Sequence, residues 1–224
     1  MSFRIFSAAM VVAPILLASG CAHQKASVVA PAIVTPAEWG SKPQPFPAEY
    51  NQTPRAVLLH HAGENWKLGT DPAQKLRNLQ SWGQRDKNWN DVPYHYLISP
   101  DGRIFEGRSV SYKPDTNTNF DTTGFINVQL WGNFEEQRVT QAQLASTVSV
   151  TAYLVDKHGL SIDSITTHMD EAPGQTTCPG KDFYRYVKSG QFREWVQESL
   201  KGKTPKIELL PALEGGPTEF APES

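Results

Sequence analysis

An unbroken apolar run, Ala56-Val57-Leu58-Leu59, ends on two adjacent histidines, His60 and His61. A run this short without polar alternation suits a buried strand, and a buried strand needs other elements to cover it. The flanking sequence supplies them in alternation. Asp71-Pro72 is a helix start, an N-cap followed by proline at the first helical position, with Leu76, Leu79 and Trp82 on one face. Tyr94–Ser99 and Arg103–Gly107 flank the turn Pro100-Asp101-Gly102 and read as a hairpin. In Phe125–Trp131, Val128 and Leu130 point one way and Asn127, Gln129 and Trp131 the other, so one face is expected in the core and the other as a polar-aromatic surface. A long helix is expected from its cap, Thr140, to about His158, stopped by Gly159, with Leu144, Val148, Thr151, Ala152 and Val155 buried. Ser164–His168 reads as a further short strand, and Phe183–Leu200 as one or two closing helices. Strands interleaved with helices imply an α/β or α+β layer fold around a mixed β-sheet.

The chain of 224 residues divides around this domain. Residues 1–20 carry one Arg4 and an apolar stretch from Ile5 to Leu17, a signal-peptide core too short and too interrupted by Pro14 for a membrane span. Ala18-Ser19-Gly20-Cys21 resembles the lipobox of bacterial lipoproteins, departing from it at Ala18, where that box more often has Leu. The resemblance implies lipid attachment at Cys21 and a soluble domain held on a membrane. Ala22 in place of Asp implies the outer membrane, facing the periplasm. Residues 21–33 then form a tether and 34–201 the domain. The Pro/Gly-rich 202–224 form a disordered or loosely docked tail. With 21 Lys+Arg against 23 Asp+Glu, the chain lacks the basic footprint of a nucleic-acid binder, and a monomer is expected.

Chemistry is expected where polar residues stand at strand ends. His60 and His61 end one strand and His168 another, and Cys178 lies in the loop Glu171–Gly180. With Cys21 lipidated, Cys178 is an unpaired thiol in an exported chain, for which metal ligation is the best account. Imidazole and thiolate are ligands that zinc prefers, and three protein ligands with an open fourth position define a catalytic site. No CxxC or HExxH pattern is present, so spacing alone leaves open a metal site or merely satisfied histidines.

Five ordered segments carry a resemblance: IVTPAEWGSKP, AVLLHHAGEN, RNLQSWGQRDKNWNDVPYHYLISPDGRIFEGR, GFINVQLWGNFEE and THMDEAPGQTTCPG. Together they resemble the zinc-dependent N-acetylmuramoyl-L-alanine amidases, which include the peptidoglycan recognition proteins. That resemblance implies a central mixed β-sheet flanked by helices, and zinc (Zn2+) held by His60, His168 and Cys178. His61 falls beside the first ligand, in a structural or supporting role, and alternation after Tyr94 sends His95 to the opposite face, where it is expected to be structural or supporting. Tyr94 falls on a tyrosine whose hydroxyl lies beside the metal water, and Thr176 on a site that is Lys in the phage enzyme and Thr in recognition proteins. The implied reaction is hydrolysis of the amide between N-acetylmuramic acid and L-alanine in peptidoglycan or muropeptides. The alternative is a peptidoglycan-binding lipoprotein that does not cut. Arg108, Asn127, Gln129 and Trp131 are candidates for the wall of a substrate groove, and the loop Ser109–Thr123 for its rim. Glu106 lies in a matching strand, but no carboxylate is singled out as the proton shuttle.

Overall fold

A computed structural model describes residues 27–223; the signal segment 1–20 and Cys21 lie outside the described residues. The apolar run becomes β2 (Ala56–His61), every residue of it buried. It is flanked in parallel by β5 (Phe125–Leu130) and β6 (Ile165–Thr167). The predicted hairpin forms as β3 (Tyr96–Ile98) antiparallel to β4 (Ile104–Glu106), and β3 runs parallel to β5. A two-residue β1 (Ile33–Val34) adds to the outer edge of β4. The sheet is six-stranded and mixed, in the order β1-β4-β3-β5-β2-β6.

One face of the sheet carries Val57, Leu59, Ile126, Val128, Leu130 and Ile165, packed against α3 (Gln141–His158), α5 (Lys181–Lys188) and α6 (Gln191–Leu200). Thr140 caps α3 with a reciprocal Gln143 bond, and Gly159 closes it in the left-handed conformation, as the sequence requires. Beyond the expected stripe, Val150 and Leu154 of α3 are also buried, because α6 packs on it as well as the sheet. Gly190, with φ of 88°, turns the chain between the two closing helices.

The other face is covered only in part. α2 (Pro72–Asp86) and α1 (Pro36–Trp39) bury Leu97, Phe105 and Trp131 beneath Leu76 and Trp39. Trp82 leaves the predicted buried face of α2: it is 37% exposed and meets Trp89 edge-on. Past the end of α2 loops cover β2 and β5, with Phe120 packing on the Ala56, Leu58 and Phe125 cluster, and the carboxyl ends of the parallel β2, β5 and β6 lie together on one side of the sheet. Ligand sites in open α/β sheets gather at such ends.

Both flanking segments pack more closely than composition suggests. Val28 N–H donates to Asp156 of α3, and Ile33, assigned to the tether, belongs to β1. The tail docks through backbone hydrogen bonds. Arg138 and Arg185 donate to the carbonyls of Leu210 and Pro211, and Leu210 N–H donates to Tyr186 Oη at 2.9 Å. Arg138 also exchanges backbone bonds with Glu219 and Ala221, its guanidinium over the Phe220 ring. Ile207, Leu209 and Leu210 also pack against the core on the α3 side, and the arginines hold the segment by its carbonyls, which composition does not reveal. No helix among the described residues is long and apolar enough to cross a membrane.

Candidate metal centre

Alternation on β2 sends His60 to the face opposite α3 with Leu58, and His61 to the α3 side. There His61 Nδ1 accepts from Phe134 N–H at 3.2 Å, which fits the supporting role expected of it. His168 follows the last residue of β6 and opens a short helix, α4 (His168–Glu171), rather than ending the strand. The chain then folds back, and Met169 N–H donates to Cys178 O at 2.7 Å. Cys178 Sγ in turn accepts from His61 N–H at 3.3 Å, so the loop is pinned to the end of β2.

These placements bring one ligand atom each from His60, His168 and Cys178 within 4.8 Å of one another. Cys178 Sγ is 3.5 Å from His60 Nδ1, and the His60 and His168 ring centroids are 4.7 Å apart. Burial drives the His60 pKa well below its ordinary value, with the neighbouring His168 adding to it and Asn127 opposing it. Burial likewise lowers His168 to about 4 and raises the Cys178 thiol to about 12. Among the described residues Cys178 has no disulfide partner. Two neutral imidazoles and a buried thiol converging on one point form a donor set suited to zinc, and a bound dication would reverse the cost of ionising the thiol. His60 Nε2, Asn127 Oδ1 and Gln129 Oε1 are buried without a hydrogen-bond partner among the described residues, so polar capacity remains around the centre.

Tyr94 is half-buried, its ring edge-on to His60 at 5.3 Å. Burial raises its pKa, reinforced by the nearby Cys178 and opposed by Gln129, so the hydroxyl keeps its proton. Arg108 N–H donates to Tyr94 O at 3.0 Å, and Gly107 permits the approach: a Cβ there would lie 2.5 Å from that carbonyl. Thr176 Oγ1 accepts from Cys178 N–H at 3.1 Å, shaping the ligand loop. His95 accepts from Asn127 N–H and contacts Tyr112 O through Nε2, away from the donor cluster. Glu106 pairs across the hairpin with Tyr96, on the α3 side of the sheet.

The groove-wall candidates separate. Gln129, register partner of His60, and Trp131 line a cleft of about 470 Å³ with Ala62, Glu64, Lys75, Asn78, Leu79 and Trp82. They form its floor rather than the expected surface, since they are 4% and 1% exposed and Trp131 stacks on Trp66. Asn127, 1% exposed, lies under His60. Arg108 corrects the expectation most clearly. Its side chain is wholly buried, donating to the carbonyls of Val92, Asp91 and Lys113 and paired with Asp115, so the guanidinium is engaged within the fold rather than facing a groove.

Sequence reasoning missed Thr118, whose Oγ1 lies 2.6 Å from His168 Nε2, and Phe120, whose ring centroid is 5.6 Å from that imidazole. Both sit in the Asn/Thr-rich stretch read as a rim loop, and nothing in its composition distinguishes a residue that touches a ligand.

Residues 50–181 match the family described as N-acetylmuramoyl-L-alanine amidase, Amidase_2. The peptidoglycan-recognition protein SD of Drosophila simulans is 29% identical over 168 residues, spanning 74% of this chain and 88% of that protein. A crystal structure of Drosophila peptidoglycan recognition protein SD superposes with a TM-score of 0.60 at 25% identity, covering 71% of this chain and 94% of that one. An endolysin N-acetylmuramoyl-L-alanine amidase of Clostridium intestinale shares the fold, with a TM-score of 0.59 at 23% identity, covering 74% and 98%. The family match takes in more than half of the chain and all three converging donors, and the chain belongs to the Amidase_2 family of N-acetylmuramoyl-L-alanine amidases.

Proposed function

We propose that this protein is a zinc-dependent amidase that hydrolyses the bond between N-acetylmuramic acid and L-alanine in peptidoglycan or its muropeptide fragments. The observation that carries the reading is the convergence of His60, His168 and Cys178 at the carboxyl ends of β2 and β6, with His60 on the sheet face opposite α3. When bound, zinc supplies Lewis acidity and a water whose pKa is lowered towards about 7. His60 and His168, kept neutral by burial, present lone pairs, and Cys178 supplies the anionic ligand. Tyr94 keeps its proton and donates a hydrogen bond to the carbonyl oxygen of the scissile amide as charge develops there. Thr176 holds the Cys178 loop in place, and its hydroxyl is the second candidate donor. The glycopeptide would lie along the cleft whose wall carries the exposed Trp82 and whose buried floor is Gln129 and Trp131.

The reading includes export and attachment through a lipid at Cys21, supported by residues 1–21 alone. The names of the relatives favour a second reading, a module that binds peptidoglycan without cutting it. One experiment separates the two. Purified protein, with and without a chelator, is incubated with muropeptides and the products are weighed by mass spectrometry. Free stem peptide only in the metal-replete sample supports the amidase; intact muropeptide in both supports the binder. Cys178→Ser and His168→Ala are expected to lose zinc and activity together, and a zinc-free variant with unchanged turnover would overturn the assignment.

A further inference from the structure

The segment between β4 and β5 is built from the core outwards. At its base Asp115 pairs with the buried Arg108 through one carboxylate oxygen and accepts from Tyr50 Oη at 3.0 Å through the other. Phe46 and Tyr112 stack beside this pair at 4.1 Å, and the Arg108 guanidinium lies 5.0 Å from the Phe46 ring centroid. Above the base, Thr116 Oγ1 accepts from Thr118 N–H at 3.2 Å, a local turn that aims Thr118. Thr118 Oγ1 then meets His168 Nε2 at 2.6 Å, and Phe120 packs between His168 and Phe125. Asn119 closes the arrangement from the far side: its N–H donates to Gln175 Oε1 at 2.7 Å, and Gln175 Nε2 donates back to Asn119 O at 3.2 Å. Gln175 lies in the loop that joins His168 to Cys178, so one segment engages both a ligand and the link to the next.

We infer that residues 115–120 form an arm that sets the ring orientation of His168, with Thr118 as the positioning residue. The inference rests on His168 being a metal ligand. His168 is half-buried on a four-residue helix, and an imidazole's outer torsion is broad and roughly two-fold. A hydrogen bond from Nε2–H to Thr118 Oγ1 selects one ring orientation and one tautomer, leaving the lone pair of Nδ1 for the metal. Such outer partners of ligating histidines typically govern metal affinity by about 10- to 100-fold. Arg108 thereby acquires a role: its ion pair with Asp115 anchors the arm.

The test measures zinc affinity by competition with a chromophoric chelator, and the cobalt-substituted absorption spectrum, for the full protein and its Thr118→Val and Thr118→Ser variants. Thr118→Val is expected to weaken zinc binding by about 10- to 100-fold and to alter the cobalt spectrum. Thr118→Ser, which keeps the hydroxyl, should stay close to wild type in both. Thermal unfolding of the metal-free variants controls for folding, and Gln175→Ala, which loosens the arm without touching His168, should weaken zinc in the same direction as Thr118→Val. Unchanged affinity and spectrum in Thr118→Val would overturn the inference, as would equal losses in Thr118→Ser. A wild-type protein that binds no zinc, or whose Cys178→Ser variant binds it equally well, would instead overturn the metal reading beneath it.

Discussion

Replacing Arg108 with methionine separates two roles for one guanidinium, a substrate contact or a fastening within the fold. The side chain is fully buried and its partner Asp115 is 12% exposed, so little solvent is available to either charge once the other is removed. Methionine fills much of the volume but leaves the Asp115 carboxyl group without its cationic partner, and the carbonyls of Val92, Asp91 and Lys113 without a donor. Breaking a buried pair from one side costs about 3–5 kcal/mol, and the stranded carbonyls place the expectation at the upper part of that range. Asp115→Asn leaves the wholly buried guanidinium without its counter-charge, so it should also cost about 3–5 kcal/mol, nearer the lower end because the amide oxygen still accepts from it. Arg108→Met combined with Asp115→Leu should cost less than the sum of the single changes, because no unpaired charge stays buried. Urea unfolding gives these values, and titration of folded protein with muropeptide gives the affinity. An Arg108→Met protein that unfolds at the wild-type urea midpoint but binds muropeptide more weakly would refute the reasoning and return Arg108 to the groove.

Three further outcomes follow from the geometry. Gly107→Ala drives a Cβ to 2.5 Å from Tyr94 O, so it should displace Tyr94 and lower kcat while zinc content, read by atomic absorption, is kept. Gly180→Ala sets a Cβ 2.8 Å from His61 Nδ1 at a φ of 81°, and should destabilise the fold by more than the roughly 1–2 kcal/mol of left-handed backbone alone, as thermal unfolding will show. His95 is held neutral by burial, with its pKa lowered from 6.5 to about 3. Between those values the unfolded chain binds the extra proton, so this contribution is complete above the unfolded pKa and is lost as pH falls. His95→Gln should therefore flatten the urea-derived stability profile between pH 6 and 4 by about 1.4 kcal/mol per pH unit, and an unchanged slope would refute the burial argument.

The sheet and the donor set were legible because each depended on a local signal. Ala56–Leu59 is too apolar to sit anywhere but inside, and Thr140 with Gly159 marks both ends of α3. His60, His168 and Cys178 each stand beside a strand end or a Pro/Gly loop, and the family resemblance supplied their grouping. What escaped depended on distant partners. Alternation on β5 set the direction of Asn127, Gln129 and Trp131 correctly, but only the packing of Trp66 over Trp131 shows that this face is covered. Arg108 looks like a surface cation until Asp115 is brought to it by the folding of a polar loop. The tail looked loosely held because its grip on Arg138 and Arg185 uses backbone carbonyls, which every sequence has.

Ser27–Val29 run beside Ala145, Val148 and Ser149 of α3, and α3 covers the sheet face opposite to His60 and Gln129. A pull delivered through the N-terminal segment is therefore borne by the rear of the molecule, through the Val28–Asp156 contact and the α3 scaffold. The cleft above Gln129 and the His60 donor lie on the side of the sheet away from Ser27–Val29, so load on that segment passes through α3 without crossing them.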